Sequence, residues 1–485
     1  MKTRIILFIL CLAAFFANPG VLSPDVMEMR NIVTAREMVA EGHWLIPMMN
    51  GELRLEKPPL PTWVAGAIET LVPDSLSAQR MAPALMAMLW TLFLWLIARY
   101  LNRRENMARN AVLVFITCYN VILMGRSATW DIYCHAFMMG AIYFLLRAFY
   151  DEEKGLTPHR WRWMIAAGVM MGLSFESKGP VSFYVLLLPA VISMIVIRHP
   201  LMRGKWLPLL AAVLICLVLS SWWYIVLHLF YPETTQAVLH KESGAWLSHN
   251  VRPWYYYWRA FLETGLWAPF VLATLAIPYW RRRLDNPRGY LFVMLWMLGQ
   301  FLLLSLMPEK KMRYLLPMAP TCAMAVAYIL SYIEDKTRHR KVIRSLVWGF
   351  AGLCFVAEVV LLKPIGDMFV HRSAQGIAMV NANRTLDSLP FYSVAHEPLP
   401  IELVYEAKRK IRPLDTGNAA AVQQALPCVL VSTRHAGLEL PAGLLSVLDT
   451  VPLGITNDNK HAKTDRHYSQ NFIKHLTILK PKYTK

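Results

Sequence analysis

Long apolar runs, separated by short polar or basic tracts, follow one another from the first residues of the chain to about Pro364. A hydrocarbon core about 30 Å thick needs about 20 apolar residues per helix, so the pattern predicts about eleven membrane-spanning helices. The predicted spans are residues 5–22, 79–98, 107–125, 131–149, 162–176, 180–198, 206–230, 260–280, 289–307, 313–333 and 343–363. We therefore expect an all-α polytopic membrane domain at residues 1–364, in which the first apolar run is retained as a helix.

After residue 364 the pattern changes to short β-like runs mixed with polar helical stretches. Strands are predicted at residues 391–395, 401–405, 428–432 and 476–479, and a helix at 419–425. A segment of about 120 residues is a usual size for one small domain. The sequence therefore predicts a C-terminal α/β domain at residues 365–485.

The tracts that join the apolar runs alternate in charge. One set is rich in Lys and Arg, as at residues 281–283, and the positive-inside rule assigns that set to the cytoplasm. The other set includes the loops 23–78 and 231–258, which then face outward together with the C-terminal domain. The expected location is a bacterial inner membrane, with the C-terminal domain outside the cytoplasm.

The composition agrees with a membrane protein. Hydrophobic residues make up 56% of the chain and charged residues 17%, below the roughly 25% charged residues of soluble proteins. The formal net charge of +18 is spread over the basic tracts, which favours topology signals and contacts with anionic membrane lipids over nucleic acid. Most of the seven cysteines fall within apolar runs, so neither a disulfide framework nor a CxxC metal motif is expected.

The loop 23–78 gathers an unusual number of charged residues between two apolar runs. Acidic residues in its first turn suit a helix N-terminus, and apolar residues at i, i+3 and i+7 from Val26 predict an amphipathic helix in the membrane interface. Residues 44–49 are expected to be extended, Asn50-Gly51 to form a turn, and residues 60–72 to form a second helix.

Three carboxylates of the outward set are candidate catalytic groups. Asp25 and Glu28 share a helix face, so that one acid could act as a base while Arg30 neutralises the other. A solvated helix start that uses acids only for its dipole is the alternative. Asp131 begins an apolar helix and has the same two interpretations.

The candidate phosphate-binding groups are cations and a phenol. Lys57 follows Glu56 and precedes two prolines that stiffen the backbone, and a fixed cation suits phosphate; an anchor at the membrane surface is the alternative. The outward helix ends add a further set that suits an anionic lipid phosphate, namely Lys178, Lys310, Lys311, Arg313 and Tyr314.

The loop 231–258 carries aromatic and histidine residues. Its Trp and Tyr run at residues 253–258 is typical of an interfacial belt. His240 and His249 lie near Glu242 and could bind a divalent metal, although the spacing is not diagnostic.

Several motifs in order resemble the GT-C membrane glycosyltransferases, specifically the bacterial relatives of protein O-mannosyltransferases and of the lipid A aminoarabinose transferase. The resemblance starts with PDVMEMRNIVTAREMVAEGHWLIPMMNGELRLEKPPLPTW at residues 24–63 and covers the membrane domain from end to end. It continues with GRSATWD ending at Asp131, SKGP at residues 177–180, HNVRPWYYY at 249–257 and EKKMRYLLP at 309–317.

The resemblance implies an inverting glycosyltransferase of the cell envelope that uses a polyprenyl-phosphate sugar donor and a lipid A, glycan or protein acceptor. Carried over by motif, the catalytic acids are Asp25 or Glu28, together with Asp131. Relatives often read Asp-Glu-x-Arg, whereas Val26-Met27 separates the two acids here, and we prefer Asp25. The donor phosphate-binding residues implied by the motifs are Glu56, Lys57, Lys178, Arg313 and Tyr314.

The same resemblance leaves a cofactor open. Some relatives bind a divalent metal through the glutamate of the EKP element, here Glu56, and a loop histidine. No other cofactor is expected.

Two other functions are compatible with a polytopic membrane protein. A transporter or flippase of polyprenyl-linked glycans would favour charges in the middle of helices and inverted repeats. A scaffold of an envelope complex would not need the outward acids. The charges cluster at helix ends, which favours the enzyme.

Overall fold

A computed structural model describes residues 2–248, 250–368, 389–457 and 469–482. The chain divides into two compact units. The first unit comprises residues 1–19, 55–64 and 76–362, and the second comprises residues 20–54, 65–75 and 363–485.

Helices dominate the chain up to residue 368. They are α1 (Lys2–Phe16), α2 (Val26–Glu41), α3 (Leu60–Leu71), α4 (Leu76–Gln79), α5 (Met81–Leu101), α6 (Glu105–Ile116), α7 (Tyr119–Met124), α8 (Trp130–Tyr150), α9 (Arg160–Lys178), α10 (Phe183–Arg198), α11 (Trp206–Phe230), α12 (Pro232–Ser248), α13 (Ala268–Thr274), α14 (Ile277–Arg283), α15 (Pro287–Leu306), α16 (Ala319–Lys336) and α17 (Arg340–Met368). Two 3₁₀ segments, Trp254–Trp267 and Met312–Met318, precede α13 and α16.

Among the described residues, six helices are long and apolar enough to cross a membrane. They are Leu76–Leu101, Trp130–Tyr150, Trp206–Phe230, Pro287–Leu306, Met312–Lys336 and Arg340–Pro364. A seventh span results if Trp254–Thr274 and Ile277–Arg283, which are bent by 79°, form one. The chain is a multi-pass membrane protein, as predicted, but the expected count of about eleven spans is not confirmed by length and hydropathy.

The predicted span 107–125 is interrupted at Thr117, between α6 and α7. The Thr117 hydroxyl donates a hydrogen bond to the Leu113 carbonyl at 2.6 Å and accepts one from the Trp267 indole at 2.7 Å. A threonine that bonds back to the preceding turn favours a bend in a helix, and α6 ends at the residue before Thr117.

Close contact between helices organises the first unit. Helix α8 packs against α5 and α9, α9 against α11, and α6 against α16. Gly168 and Gly172 lie one turn apart on α9, facing α11. A Cβ atom at Gly168 would lie 2.5 Å from the Ala212 carbonyl oxygen, and one at Gly172 would lie 2.5 Å from Leu219 Cβ. Glycine at these two positions therefore allows α9 and α11 to pack backbone to backbone.

The second unit contains a hairpin and a five-stranded sheet. The hairpin is β1 (Met48–Met49) and β2 (Glu52–Leu53), and the sheet has the order β4-β3-β5-β7-β6. Its strands and helices are β3 (Phe391–Val394), α18 (Ile401–Ala407), β4 (Ile411–Leu414), α19 (Ala419–Ala425), β5 (Cys428–Ser432), α20 (Ala436–Glu439), α21 (Ala442–Val447), β6 (Leu448–Asn457) and β7 (Ile473–Pro481). We call β3 to β7 with α18 to α21 the tail domain. Strand β3 is parallel to β4 and β5, while β7 is antiparallel to β5 and β6.

Most elements predicted for the tail are confirmed, including strands β3, β5 and β7 and helix α19. The strand predicted at residues 401–405 is wrong, because these residues begin α18. Leu403, Val404 and Ala407 are buried at helical spacing, so packing of one helical face outweighs the β-propensity of the local sequence.

The local signals of the opening loop are also confirmed. Helix α2 follows Asp25 and ends at Gly42, whose φ of 77° lies in the left-handed region typical of a helix C-terminus. Asn50 and Gly51 have φ values of 56° and 83°, as a type I′ hairpin turn requires, and β1 pairs with β2 across them.

Candidate functional site

A buried ion pair joins the start of α8 to the end of α9. Asp131 is the second residue of α8, Lys178 is the last residue of α9, and the lysine ammonium contacts Asp131 Oδ1 directly. The side chains are only 4% and 11% exposed, respectively. Because a short connection makes α8 and α9 antiparallel neighbours, the first residue of one helix lies beside the last residue of the other. The fold thus brings together two motifs that are 47 residues apart in the sequence.

An aromatic ring and further charges surround this pair. The Lys178 ammonium lies 5.8 Å from the centre of the Tyr314 ring, and the Lys311 ammonium lies 5.7 Å from the same centre. Lys311 also forms an ion pair with Glu309 at 2.6 Å. Arg313 acts electrostatically on Asp131. The described residues therefore place two cations, Lys178 and Arg313, near one buried carboxylate, with the Tyr314 ring close to both Lys178 and Lys311.

Two of the recognised motifs hold each other in place here. The Tyr257 hydroxyl donates to the Lys311 carbonyl at 3.0 Å and accepts from the Lys311 amide at 3.1 Å. The Lys310 ammonium is buried and donates to the carbonyls of Arg252 and Met307. Lys310 therefore connects the segment at Arg252 to the segment at Met307, whereas Lys311 lies beside Tyr314.

Glu56 and Lys57 belong to the same unit as Asp131. Both side chains are half-buried, whereas the two prolines that follow them are buried. Helix α3 begins directly after the prolines, and its Trp63 stacks on Trp222 of α11 with ring centres 5.8 Å apart. The predicted stiffness after Lys57 thus has a structural basis, since both the prolines and the first turn of α3 are held by packing.

The sequence reasoning missed a polar pair one helical turn from Asp131. His135 is buried, and its Nδ1 lies 2.9 Å from the Ser182 hydroxyl. The sequence could have indicated His135, because Asp131 and His135 are i and i+4 on one helix face and histidine is uncommon within an apolar run. The pair links α8 to the turn that follows Lys178.

Asp25, Glu28 and Arg30 belong to the second unit. Asp25 caps α2, with its Oδ1 accepting the Glu28 amide at 2.8 Å, and its side chain is half-buried. Glu28 is only 1% exposed, and Arg30 is exposed. The backbone carbonyl of Arg30 accepts a hydrogen bond from the Arg54 guanidinium at 2.7 Å, which ties β2 and its neighbours to the first turns of α2. Of the two alternative acids, Asp25 has the more accessible carboxylate.

The metal site stays a prediction. Within the part of the chain that the structure describes, no three His, Cys, Asp or Glu side chains are grouped as metal ligands. His249, one of the two predicted histidine ligands, lies outside the described residues, and the other, His240, is exposed.

Comparison with known proteins identifies a matching family model and several similar proteins. Residues 56–225 match the family model of dolichyl-phosphate-mannose-protein mannosyltransferases. The undecaprenyl phosphate-α-4-amino-4-deoxy-L-arabinose arabinosyl transferase of Shewanella sediminis is 27% identical over 356 residues. That match covers 70% of this chain and 61% of the relative, so the chain spans less than two thirds of the relative's length.

Two solved structures share the fold. ArnT from Cupriavidus metallidurans, bound to undecaprenyl phosphate, superimposes with a TM-score of 0.70 at 17% identity, covering 98% of this chain and 97% of that one. The archaeal oligosaccharyltransferase AglB from Archaeoglobus fulgidus gives a TM-score of 0.52 at 13% identity, covering 89% of this chain and 69% of that one.

The polytopic helical unit with its buried charged cluster thus has the GT-C fold of the membrane glycosyltransferases. The resemblance predicted from the motifs is confirmed, because the chain is similar to the undecaprenyl phosphate-aminoarabinose arabinosyl transferases and matches the family model of the protein mannosyltransferases over residues 56–225.

Proposed function

We propose that this chain is an inverting glycosyltransferase that moves a sugar from a polyprenyl-phosphate donor to an acceptor on the outer face of the membrane. The observation that carries the proposal is the buried Asp131–Lys178 pair, with Tyr314 and Arg313 near it. The similarity to a protein solved with undecaprenyl phosphate supports this class of donor.

The donor side of the reaction needs positive charge. When the bond between the anomeric carbon and the phosphate oxygen breaks, the lipid phosphate leaves with the electron pair, and fixed cations stabilise the charge that develops on it. In our assignment Lys57, Lys178 and Arg313 supply these cations, the Tyr314 hydroxyl donates a hydrogen bond, and Glu56 orients Lys57. Asp131 holds the Lys178 ammonium in place through their ion pair.

The acceptor side needs a base only if the acceptor is a hydroxyl. The acceptor oxygen then attacks the anomeric carbon from the face opposite the leaving phosphate, and its proton passes to a carboxylate. We assign this role to Asp25, because its carboxylate is half-buried while that of Glu28 is almost completely buried. A phosphate acceptor carries no proton to remove, and Asp25 then orients it.

The proposed acceptor is lipid A, a glycan or a protein. The names of the arabinosyl transferases state the donor but no acceptor, and the name of the matching family model states a protein acceptor. The proposed topology places the loop 23–78 and the tail domain outside the cytoplasm of a bacterial inner membrane, as the charge pattern of the joining tracts predicts. The competing function, a flippase, is disfavoured because Asp131 and Lys178 lie at helix ends rather than midway along a span.

The test compares Asp131→Asn, Lys178→Ala and Asp25→Asn with the parent chain in cells that lack the endogenous gene. Mass spectrometry of lipid A, glycans and glycoproteins should show one sugar modification that disappears in all three variants while membrane insertion stays normal. Lys336→Ala is a matched control, since Lys336 is more than half exposed and its ion pair with Asp285 lies at the surface. Unchanged modification in all three variants would refute the proposal. Donor that accumulates untransported in the inner leaflet would favour the flippase.

A further inference from the structure

Helix α2 completes the hydrophobic core of the tail domain. Val33, on one face of α2, belongs to the same buried cluster as Phe391 of β3, Leu403 of α18 and Val429 of β5. These residues are far apart in the sequence, and all of them lie within the second unit. The tail domain therefore packs directly against the helix that Asp25 caps.

A lysine of the tail domain bridges two carboxylates of α2. The Lys410 ammonium lies 2.9 Å from Glu37 and 2.5 Å from Glu41, which are one helical turn apart. Glu37 is 4% exposed and also accepts the amide of Gly51 at 3.0 Å. Removal of the lysine would leave a buried carboxylate without its cation, a strongly unfavourable change.

The hairpin after α2 is attached to the edge strand of the sheet. The Asn50 side chain donates to the Ile411 carbonyl and accepts from the Ile411 amide, each at 2.8 Å. Ile411 is the first residue of β4, which lies at the edge of the sheet. The Asn50 side chain thus makes the two hydrogen bonds that a neighbouring strand would make at that residue.

An arginine makes the third attachment. The Arg36 guanidinium donates to the Tyr405 carbonyl at 2.7 Å, lies 4.7 Å from the centre of the Tyr405 ring and forms an ion pair with Asp74 at 2.8 Å. Stacking of a guanidinium on an aromatic ring adds to the hydrogen bond and fixes the direction of the side chain.

We infer that the tail domain positions Asp25 for the reaction, by holding α2 through Lys410, Asn50 and the Val33 face. The inference rests on the proposed function. With a rise of 1.5 Å per residue, Val33 to Glu41 lie about 12 to 24 Å along the helix from Asp25. These contacts therefore act through the helix rather than on a reacting atom. A displacement of about 1 Å in a reacting group can lower the rate about 100-fold.

A cavity at the same contact provides the competing interpretation. Its volume is about 230 Å³, and its lining includes Arg36, Glu37 and Lys410. If the tail domain instead bound the acceptor there, substitutions would weaken acceptor binding and leave the chemical step intact. The lining carboxylates already have cationic partners from the tail domain, which favours the positioning role.

The experiment measures initial rates of transfer by the full-length chain in nanodiscs, with undecaprenyl phosphate-linked sugar and purified lipid A, glycan or protein, whichever acceptor supports turnover. Lys410→Ala and Asn50→Ala should each lower kcat about 10-fold or more with KM for both substrates nearly unchanged. Lys410→Arg should recover most of kcat. Arg412→Ala is the control, because Arg412 is exposed on the same strand as Ile411. Hydrogen exchange should show faster exchange of the α2 amides in both alanine variants.

Three results would overturn the inference. A raised KM for the acceptor with unchanged kcat would show that the tail domain binds the acceptor. Unchanged kcat and KM together with a lower unfolding temperature would show that the contacts only stabilise the fold. A kcat that Lys410→Arg does not recover, in a protein whose α2 amides exchange normally, would also contradict positioning. If Asp25→Asn retains full transfer, the proposed function fails instead. If Lys410→Ala does not accumulate, Asn50→Ala decides the question alone.

Discussion

Removing one partner of the Asp131–Lys178 pair should destabilise the chain far more than removing both. The two side chains are almost completely buried, so salt and water screen their attraction only weakly. Loss of one member of a buried ion pair costs about 3 to 5 kcal/mol, because the remaining charge is left without compensation. Replacement of both members by neutral groups of similar volume is often nearly neutral. We therefore expect Asp131→Asn and Lys178→Met each to lose about 3 to 5 kcal/mol, and the double variant to recover most of that loss.

Activity should follow a different rule. Lys178 is assigned to the donor phosphate, so both single variants and the double variant should be inactive even where stability is restored. Thermal unfolding in one detergent, followed by tryptophan fluorescence, gives the stabilities, and the transfer assay gives the activities. Additive losses of stability in the double variant would show that the two charges do not interact in the folded protein. Restored transfer in the double variant would show that Lys178 does not contact the donor.

Three further predictions concern single carboxylates. Asp25→Asn and Asp25→Ser should preserve the stability of α2, because Asn and Ser cap helices about as well as Asp does. Both variants should nevertheless abolish transfer to a hydroxyl acceptor. Full activity in either variant would show that the carboxylate only caps the helix. Glu176→Leu should raise the free energy of unfolding by about 1 to 3 kcal/mol, measured by thermal unfolding, because both carboxylate oxygens are buried without hydrogen-bond partners among the described residues. If the Glu176→Leu variant were less stable than the Glu176→Gln variant, Glu176 would have a polar partner. The hydrogen bond from Lys410 lowers the pKa of Glu41, so this pair should stabilise the fold above the usual glutamate pKa and lose that contribution as the pH falls through the lowered value. Glu41→Gln should flatten this part of the stability profile, and an unchanged profile would contradict the assignment.

The sequence predicted the elements whose signals are local. The cap at Asp25, the helix that follows it and the Asn50-Gly51 turn each depend on a few neighbouring residues, and each is present. The proximity of Asp131 and Lys178 could also be predicted from the sequence. Asp131 begins one predicted span and Lys178 follows the end of the next, and the alternation of charge along the chain assigns both to the same side of the membrane.

Elements that depend on distant partners could not be predicted in this way. Residues 401–405 have β-branched and aromatic side chains typical of a strand, but they form a helix because Leu403 and Val404 pack into a core that includes Val33 of α2. The Asn50 side chain bonds to Ile411, which is 361 residues away, and no periodicity in the sequence records that contact. The association of the opening loop with the tail domain was missed for the same reason.

From the sequence, a structural role at a helix N-terminus and a catalytic role were alternatives for Asp25 and for Asp131. The geometry indicates that each acid can have both roles. A helix N-terminus supplies unpaired amide groups and a positive dipole end, both of which attract a carboxylate. Asp25 accepts such an amide, and Asp131 lies in the first turn of α8 beside a lysine. The features that explain each acid structurally therefore also hold its carboxylate in a fixed position, which a catalytic role requires. Only substitutions that preserve the cap or the charge balance, such as Asp25→Ser and the double variant of Asp131 and Lys178, can separate the chemistry of these acids from their structural role.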